Sequence, residues 1–229
     1  MAGGPGTPGA RRDGSHREPL MRANDNPFAV HRIHSLRFQF QDGETLESLS
    51  ARFWAQVDLG KRRQVLLGHH GTGKSTLLSE LGRCWKADGI ALIWLNGAAP
   101  DWSSLRTGAT VFFENSARSV VLIDSGERLS RWDWLRIWWR LGRVPILFTA
   151  HRGGKLPILY KCRSTFLGFE QLCRELLGER WPEFDHRCPT PMRREIFEQE
   201  HGDIRQCFFE LFDRMAQGTG PFGPTTRIM

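Results

Sequence analysis

The sequence predicts an α/β fold: a three-layer α/β/α sandwich around a mostly parallel sheet, with a small helical lid at the C-terminal end. Three observations carry this. The runs Ile90-Ala91-Leu92-Ile93-Trp94-Leu95, Val120-Val121-Leu122-Ile123 and Pro145-Ile146-Leu147-Phe148-Thr149-Ala150 are apolar almost without interruption, as strands covered on both faces of a parallel sheet are. A fourth run, Val65-Leu66-Leu67, enters a glycine-rich turn that opens straight into a helical stretch. Beyond residue 181 the apolar residues are spaced for helices alone.

Taken in order, residues 1–26 are rich in Gly, Pro and Arg and nearly free of apolar residues. Such a segment buries too little surface to offset its ordering entropy, so a flexible tail is expected. Asn26-Pro27-Phe28 opens the ordered part. Leu36, Phe38 and Phe40 alternate with Arg37 and Gln39, which predicts a short half-buried strand. Residues 45–57 carry Leu46, Leu49, Phe53 and Val57 on one helical face. Helix 75–86 stops at Asp88-Gly89. The segment 100–108 reads as loop and short helix, and Thr110 to Phe113 as strand end or helix. In residues 131–141 Trp134, Trp138 and Leu141 share a stripe predicted to pack on the sheet. Trp132 and Trp139, seven apart, mark either further packing or a face for a partner. Ser164 to Leu167 reads as a further strand, 169–177 as a helix. Trp181-Pro182 and Cys188-Pro189-Thr190-Pro191 punctuate the link to helix 192–199. Asp203 caps a last helix through Met215, with Ile204, Phe208, Leu211 and Met215 inward. The divisions expected are thus a tail at 1–26, an α/β core at 27–180, a helical lid at 181–216 and a flexible tail at 217–229.

The turn after Leu67 reads Gly68-His69-His70-Gly71-Thr72-Gly73-Lys74-Ser75. It fits Gly, any four residues, Gly-Lys-Ser/Thr, in the strand-then-helix setting the motif requires. Glycines let successive N–H groups curl into an anion-sized nest. The helix that follows adds its positive dipole end and unpaired N–H groups. On this template the residues from Gly68 through Thr76 (with His69, His70, Gly71, Thr72, Gly73) hold the phosphates of a nucleotide. Lys74 reaches the β- and γ-phosphates and the Ser75 hydroxyl ligates Mg²⁺. Asp124 closes a strand of buried aliphatics and brings a carboxylate beside the loop, the metal-side acid of the same template. Hydrolysis also needs a group that orients or deprotonates water. Ser125 follows the strand acid directly, and Glu127 lies one short turn beyond; it is either that base or a solvated loop residue. Thr149, His151 and Arg152 close the strand expected between the loop and Asp124, and any of them could sense the γ-phosphate. No Asn/Thr-Lys-x-Asp segment is present to read guanine, so ATP is the nucleotide expected, with helix 45–57 near its base.

The 229 residues suffice for one α/β domain with a real core. No apolar run reaches the ~20 residues that span a bilayer, and no apolar leader stands at the N-terminus. Five cysteines, odd in number and without a Cys-x-x-Cys pair, are expected to be reduced thiols of a cytoplasmic protein. Cys188, His186 and His201 match no zinc spacing. The net charge of +7 permits a nucleic-acid partner without requiring one.

Phosphate loop, strand acid, polar strand end and terminal helices, in that order, resemble the AAA+ branch of P-loop ATPases. His201-Gly202-Asp203-Ile204-Arg205 is similar to the entry of that family's sensor-2 helix. The resemblance implies that Arg205 touches the γ-phosphate and that Thr149 stands at the sensor-1 position. Asn-Pro-Phe at the start and Thr-x-His-Arg at the strand end also resemble a group of short bacterial ATPases. Two departures from the pattern stand out: Ser125 occupies the place of the catalytic Glu, and no arginine finger is identified. Three functions follow as expectations. The first is a Mg²⁺-dependent ATPase that drives a conformational change in a protein partner or through self-association, with Lys74, Asp124, Glu127, Thr149 and Arg205 as its working residues. The second is a nucleotide-gated module with little turnover. The third is a small-molecule phosphotransferase whose closing lid would draw on Arg152, Arg163 or Arg174.

Overall fold

A computed structural model describes residues 26–33, 35–41, 43–103, 118–152 and 154–216. Of the sequence expectations, those for residues 1–25, Thr110 to Phe113 and 217–229 lie outside the described residues. The described residues include five strands, β1 (Arg63–Leu67), β2 (Ala91–Asn96), β3 (Ser119–Asp124), β4 (Ile146–Ala150) and β5 (Ile158–Lys161). They form one sheet in the order β2-β3-β4-β1-β5, every pairing parallel. β4 therefore runs between β1 and β3, as the sequence reading required.

A four-residue helix, α1 (Val30–Ile33), precedes the sheet. α2 (Leu46–Asp58) and α3 (Lys74–Ala87) cover one face. There Leu49, Phe53, Leu77, Leu78, Leu81 and Trp85 meet Leu66, Val120, Leu122 and Leu147 in a single apolar cluster. Thr45 starts α2 through a capping box with Ser48, satisfying N–H groups that the first turn leaves open. The opposite face is covered by α4 (Arg131–Leu141), whose Ile137 and Leu141 join Val65, Ile93, Val121, Ile123, Ile146 and Phe148. Ser130 and Asp133 form its capping box. The two clusters supply the two apolar interfaces of an α/β/α arrangement.

A third cluster lies among α5 (Phe166–Leu177), α6 (Trp181–Arg187), α7 (Thr190–Gln199) and α8 (Ile204–Ala216). Phe28 enters it from the N-terminal side, against Phe184 and Phe208. The Asn26 amide donates to the Phe212 carbonyl at 3.1 Å, fastening the first described residues to α8. Arg193 is buried here at 1% exposure, paired with Glu170 at 2.6 Å and Asp185 at 2.8 Å.

Several sequence expectations are corrected. Residues 36–40 do alternate in burial, but they pair with no strand. Leu36 N–H donates back to the Ile33 carbonyl, Phe38 N–H to Glu80, and Gln41 N–H, just beyond, to the Tyr160 hydroxyl. Phe38, Phe40 and Tyr160 rings meet edge-on. β2 is an edge strand buried mainly through Ile93 and Leu95, while Trp94 is 42% exposed; an apolar run alone does not distinguish edge from centre. Ser164–Leu167 is no strand. Thr165 caps α5 by accepting from Gly168 N–H at 3.1 Å, and the strand lies earlier, at Ile158–Lys161. The residues from Trp181 are helical rather than a link, with Pro182 at the first turn, where its missing N–H costs nothing. In α4, Trp134 packs edge-on to Phe148, but Trp138 is 54% exposed, outside the core stripe predicted for it.

Candidate functional site

The site is built where β1, β3 and β4 end together. Register pairs Leu66 with Thr149 and Leu67 with Ala150. The loop after β1 thus starts beside the end of β4, with the end of β3 one strand further. Within the loop, Gly71 (φ 66°) and Gly73 (φ 82°) adopt left-handed conformations that side chains resist. Space enforces the same choice. A Cβ on Gly71 would overlap the Asp203 carboxylate, and one on Gly73 would press on the Phe38 ring. α3 then begins at Lys74 with no side-chain cap, so its first N–H groups are left for another partner.

Lys74 is 8% exposed. Its ammonium donates to the His69 carbonyl at 2.5 Å and lies 3.3 Å from His151 Nδ1. Burial holds its pKa below the usual lysine value, against the opposing pull of Cys162, Glu127, Asp124 and Asp203. A buried ammonium of this kind gains when an anion arrives.

Asp124 Oδ1 is the centre of a second group. It accepts from Ser75 Oγ at 2.8 Å, Thr149 Oγ1 at 2.7 Å and Ser125 N–H at 3.0 Å. Ser125 N–H also lies 2.7 Å from Thr149 Oγ1, and Ser125 itself is left-handed (φ 57°), turning the chain sharply after the acid. Thr149 is 1% exposed, so its hydroxyl is fixed between Asp124 and the Ser125 amide.

His151 ties the two groups together. Nδ1 lies 3.0 Å from the Gly68 carbonyl, Nε2 lies 3.2 Å from Glu127 Oε1, and the ring stacks on His70 at 3.8 Å between centroids. Burial and the neighbouring Lys74 ammonium lower its pKa below the ordinary histidine value, outweighing the Gly68 carbonyl and the Glu127 carboxylate.

One cavity of 310 Å³ gathers these parts. His70 through Thr76 line it, with Asp124, Glu127, Thr149 and His151, and the first turn of α8 closes it with Ile204, Arg205 and Phe208. Every residue proposed from the sequence for catalysis or metal binding therefore faces a common space. Gly68 and His69 stand behind it, offering carbonyls to His151 and Lys74. Of the three candidates at the end of β4, Thr149 and His151 line the cavity and Arg152 does not. Arg163 lines it as well, whereas Arg174 lies over the Trp181 ring. α2, expected near the base, contributes no lining residue; Leu36 and Phe38 do so instead. The sequence reading missed Phe38 and Arg128 as lining residues, and the His70–His151 stack. No local pattern signals them, since each depends on elements distant in the chain.

Ser75 and Asp124 offer a hydroxyl and a carboxylate, the hard oxygens that suit Mg²⁺. Among the described residues no group of three or more His, Cys, Asp or Glu is arranged to hold a metal ion, and no helix is long and apolar enough to cross a membrane. No protein-family model matches the chain, and no curated protein matches it either.

Proposed function

We propose that this chain is a P-loop nucleoside triphosphatase of AAA+-like type, binding ATP in the 310 Å³ cavity with the terminal helices as its lid. The observation that carries it is the convergence of the loop, the Asp124 group, Glu127 and the first turn of α8 on one space. The uncapped start of α3 and the buried Lys74 would receive the phosphates. Ser75 and Asp124 would hold Mg²⁺, which supplies charge neutralisation for the transferring phosphoryl group. Glu127 would orient water, and His151, 3.2 Å away, holds it in the free site. Thr149 fixes the Asp124 carboxylate. Arg205, at the cavity wall on α8, would answer to the γ-phosphate and carry nucleotide state into the lid and on to a partner. A reducing cytoplasmic setting belongs to the same proposal, supported by five free cysteines.

One observation favours a second version, a nucleotide-gated module with slow turnover. Ser125 stands directly after the strand acid, and Glu127 is engaged by His151 rather than free. The deciding experiment measures nucleotide affinity and phosphate release with Mg²⁺ for wild type, Lys74→Ala and Glu127→Gln. Turnover lost in Glu127→Gln while ATP still binds supports the ATPase. Tight binding without turnover in the wild type supports the gated module. Absence of nucleotide binding in the wild type overturns both.

A further inference from the structure

The outward face of α4 is unlike any other surface of the described chain. Trp132 is 74% exposed, Trp139 83% and Leu135 48%. Their spacing is i, i+3 and i+7, so they form one stripe along the helix, about 10 Å from first to last at the helical rise per residue. Ile137 and Leu141 hold the opposite side to the sheet, so the stripe points straight away from the core. It is also the a-d-a spacing of a helix that meets another helix.

Charge selects the partner. Arg131, Arg136, Arg140 and Arg143 are all exposed on or just after this helix. The helix's one acid, Asp133, serves the Ser130 cap and also lies 3.9 Å from the Arg136 guanidinium, which stays 64% exposed, so the four arginines outnumber it on this face. With Trp132 and Trp139 at a-type positions, Arg131 and Arg136 fall beside the stripe, where flanking charges govern helix pairing. A second copy of the same face would set arginine against arginine. A partner helix with apolar residues on one seam and carboxylates beside it would find every flank complementary, and tryptophan with arginine is the composition of energetic centres in protein interfaces.

We infer that α4 is a docking face for an acidic amphipathic helix of a partner protein, with Trp132, Leu135 and Trp139 as its apolar seam and Arg131 and Arg136 as its charge selectors. The inference stands independently of nucleotide binding. None of these five residues lines the nucleotide cavity.

The test uses the full chain and three synthetic probes. The first is a helix of about three heptads with Leu on its seam and Glu on its flanks. The second is the same design with Lys on its flanks, and the third is a single-stranded oligothymidine. Affinity is read by anisotropy of the labelled probe. The Glu-flanked helix is expected to bind, and Trp132→Ala and Trp139→Ala are each expected to weaken it by about tenfold or more. Both tryptophans are exposed, so these variants should keep the fold, which circular dichroism checks. Arg131→Glu with Arg136→Glu should reverse the preference toward the Lys-flanked helix. Three results with the probes overturn the inference: no binding of the Glu-flanked helix, binding indifferent to the tryptophans, or oligothymidine bound through the same tryptophans in preference to the helix. The last would make the face a nucleic-acid platform. Concentration-dependent dimerisation lost in Trp132→Ala would overturn it in favour of self-association.

Discussion

His151 Nε2 lies 3.2 Å from Glu127 Oε1, while Nδ1 of the same ring faces the Gly68 carbonyl and the Lys74 ammonium. One imidazole thus connects the end of β4 to the glycine-rich loop on one side and to the turn after Asp124 on the other. Its charge state is set by competition. The carboxylate and carbonyl favour the imidazolium, burial and Lys74 disfavour it, and the second pair prevails.

That balance has a pH consequence. The folded pKa lies below the ordinary value of 6.5, so the unfolded chain binds this proton more readily. The stability linked to His151 is complete above pH 6.5 and is lost as pH falls from there through the folded pKa. Melting temperatures of wild type and His151→Gln across this range check it. The wild type should lose more between pH 7.5 and 5.5 than the variant does.

Glu127→Gln keeps the side chain's size and removes its basicity. Phosphate release is expected to fall by about 10²-fold or more, with ATP affinity changed only a few-fold. Single-turnover assays beside equilibrium binding separate the two quantities.

Lys74 carries charge at 8% exposure, and burial opposes that charge. Lys74→Met should therefore abolish tight triphosphate binding and yet raise the melting temperature of the nucleotide-free protein by about 2–4 °C, a trade of function for stability. Scanning calorimetry with and without ATP checks both halves.

Thr149→Val preserves shape but leaves the Ser125 N–H with Asp124 Oδ1 alone and takes one donor from that carboxylate. A cost of about 1.5–3 kcal/mol is expected from losing a hydrogen bond to a charged acceptor, whereas Thr149→Ser should lose much less. Denaturant titration of both variants decides.

Arg193→Ala should cost about 3–5 kcal/mol, because Glu170 would be left largely buried without its partner. The double change Arg193→Met with Glu170→Leu should recover a substantial part of this, read from the same denaturant midpoints.

Legibility in the sequence followed range. The glycine-rich loop between strand and helix, the strand-end position of Asp124 and the Asp203 cap were readable because each depends on neighbours a few residues away: strand before, helix after, or N–H groups two and three residues on. Central strands were readable because two covered faces demand apolar residues throughout. The failures share a different cause. Residues 36–40 have a strand's alternation without its ladder, because Glu80 and Tyr160 meet amides that a neighbouring strand would otherwise meet. β5 is four residues long, with one of them fully buried, too brief for a pattern. Trp138 sits at the margin of the α4 core stripe, where a small difference in helix roll decides burial. At the cavity, individual lining residues could be named from the sequence, but the His151–Glu127 contact could not, since two loops twenty-four residues apart make it.

The Asn26–Phe212 hydrogen bond brings together residues 186 positions apart. In topological terms the described chain is nearly a closed ring, with its seam on the helix whose first turn walls the cavity. A circular permutant that joins these two points by a short linker and opens at a surface turn elsewhere should keep the same site. Cutting the seam by Asn26→Ala should slacken α8 and be felt at Arg205, on the far end of that helix.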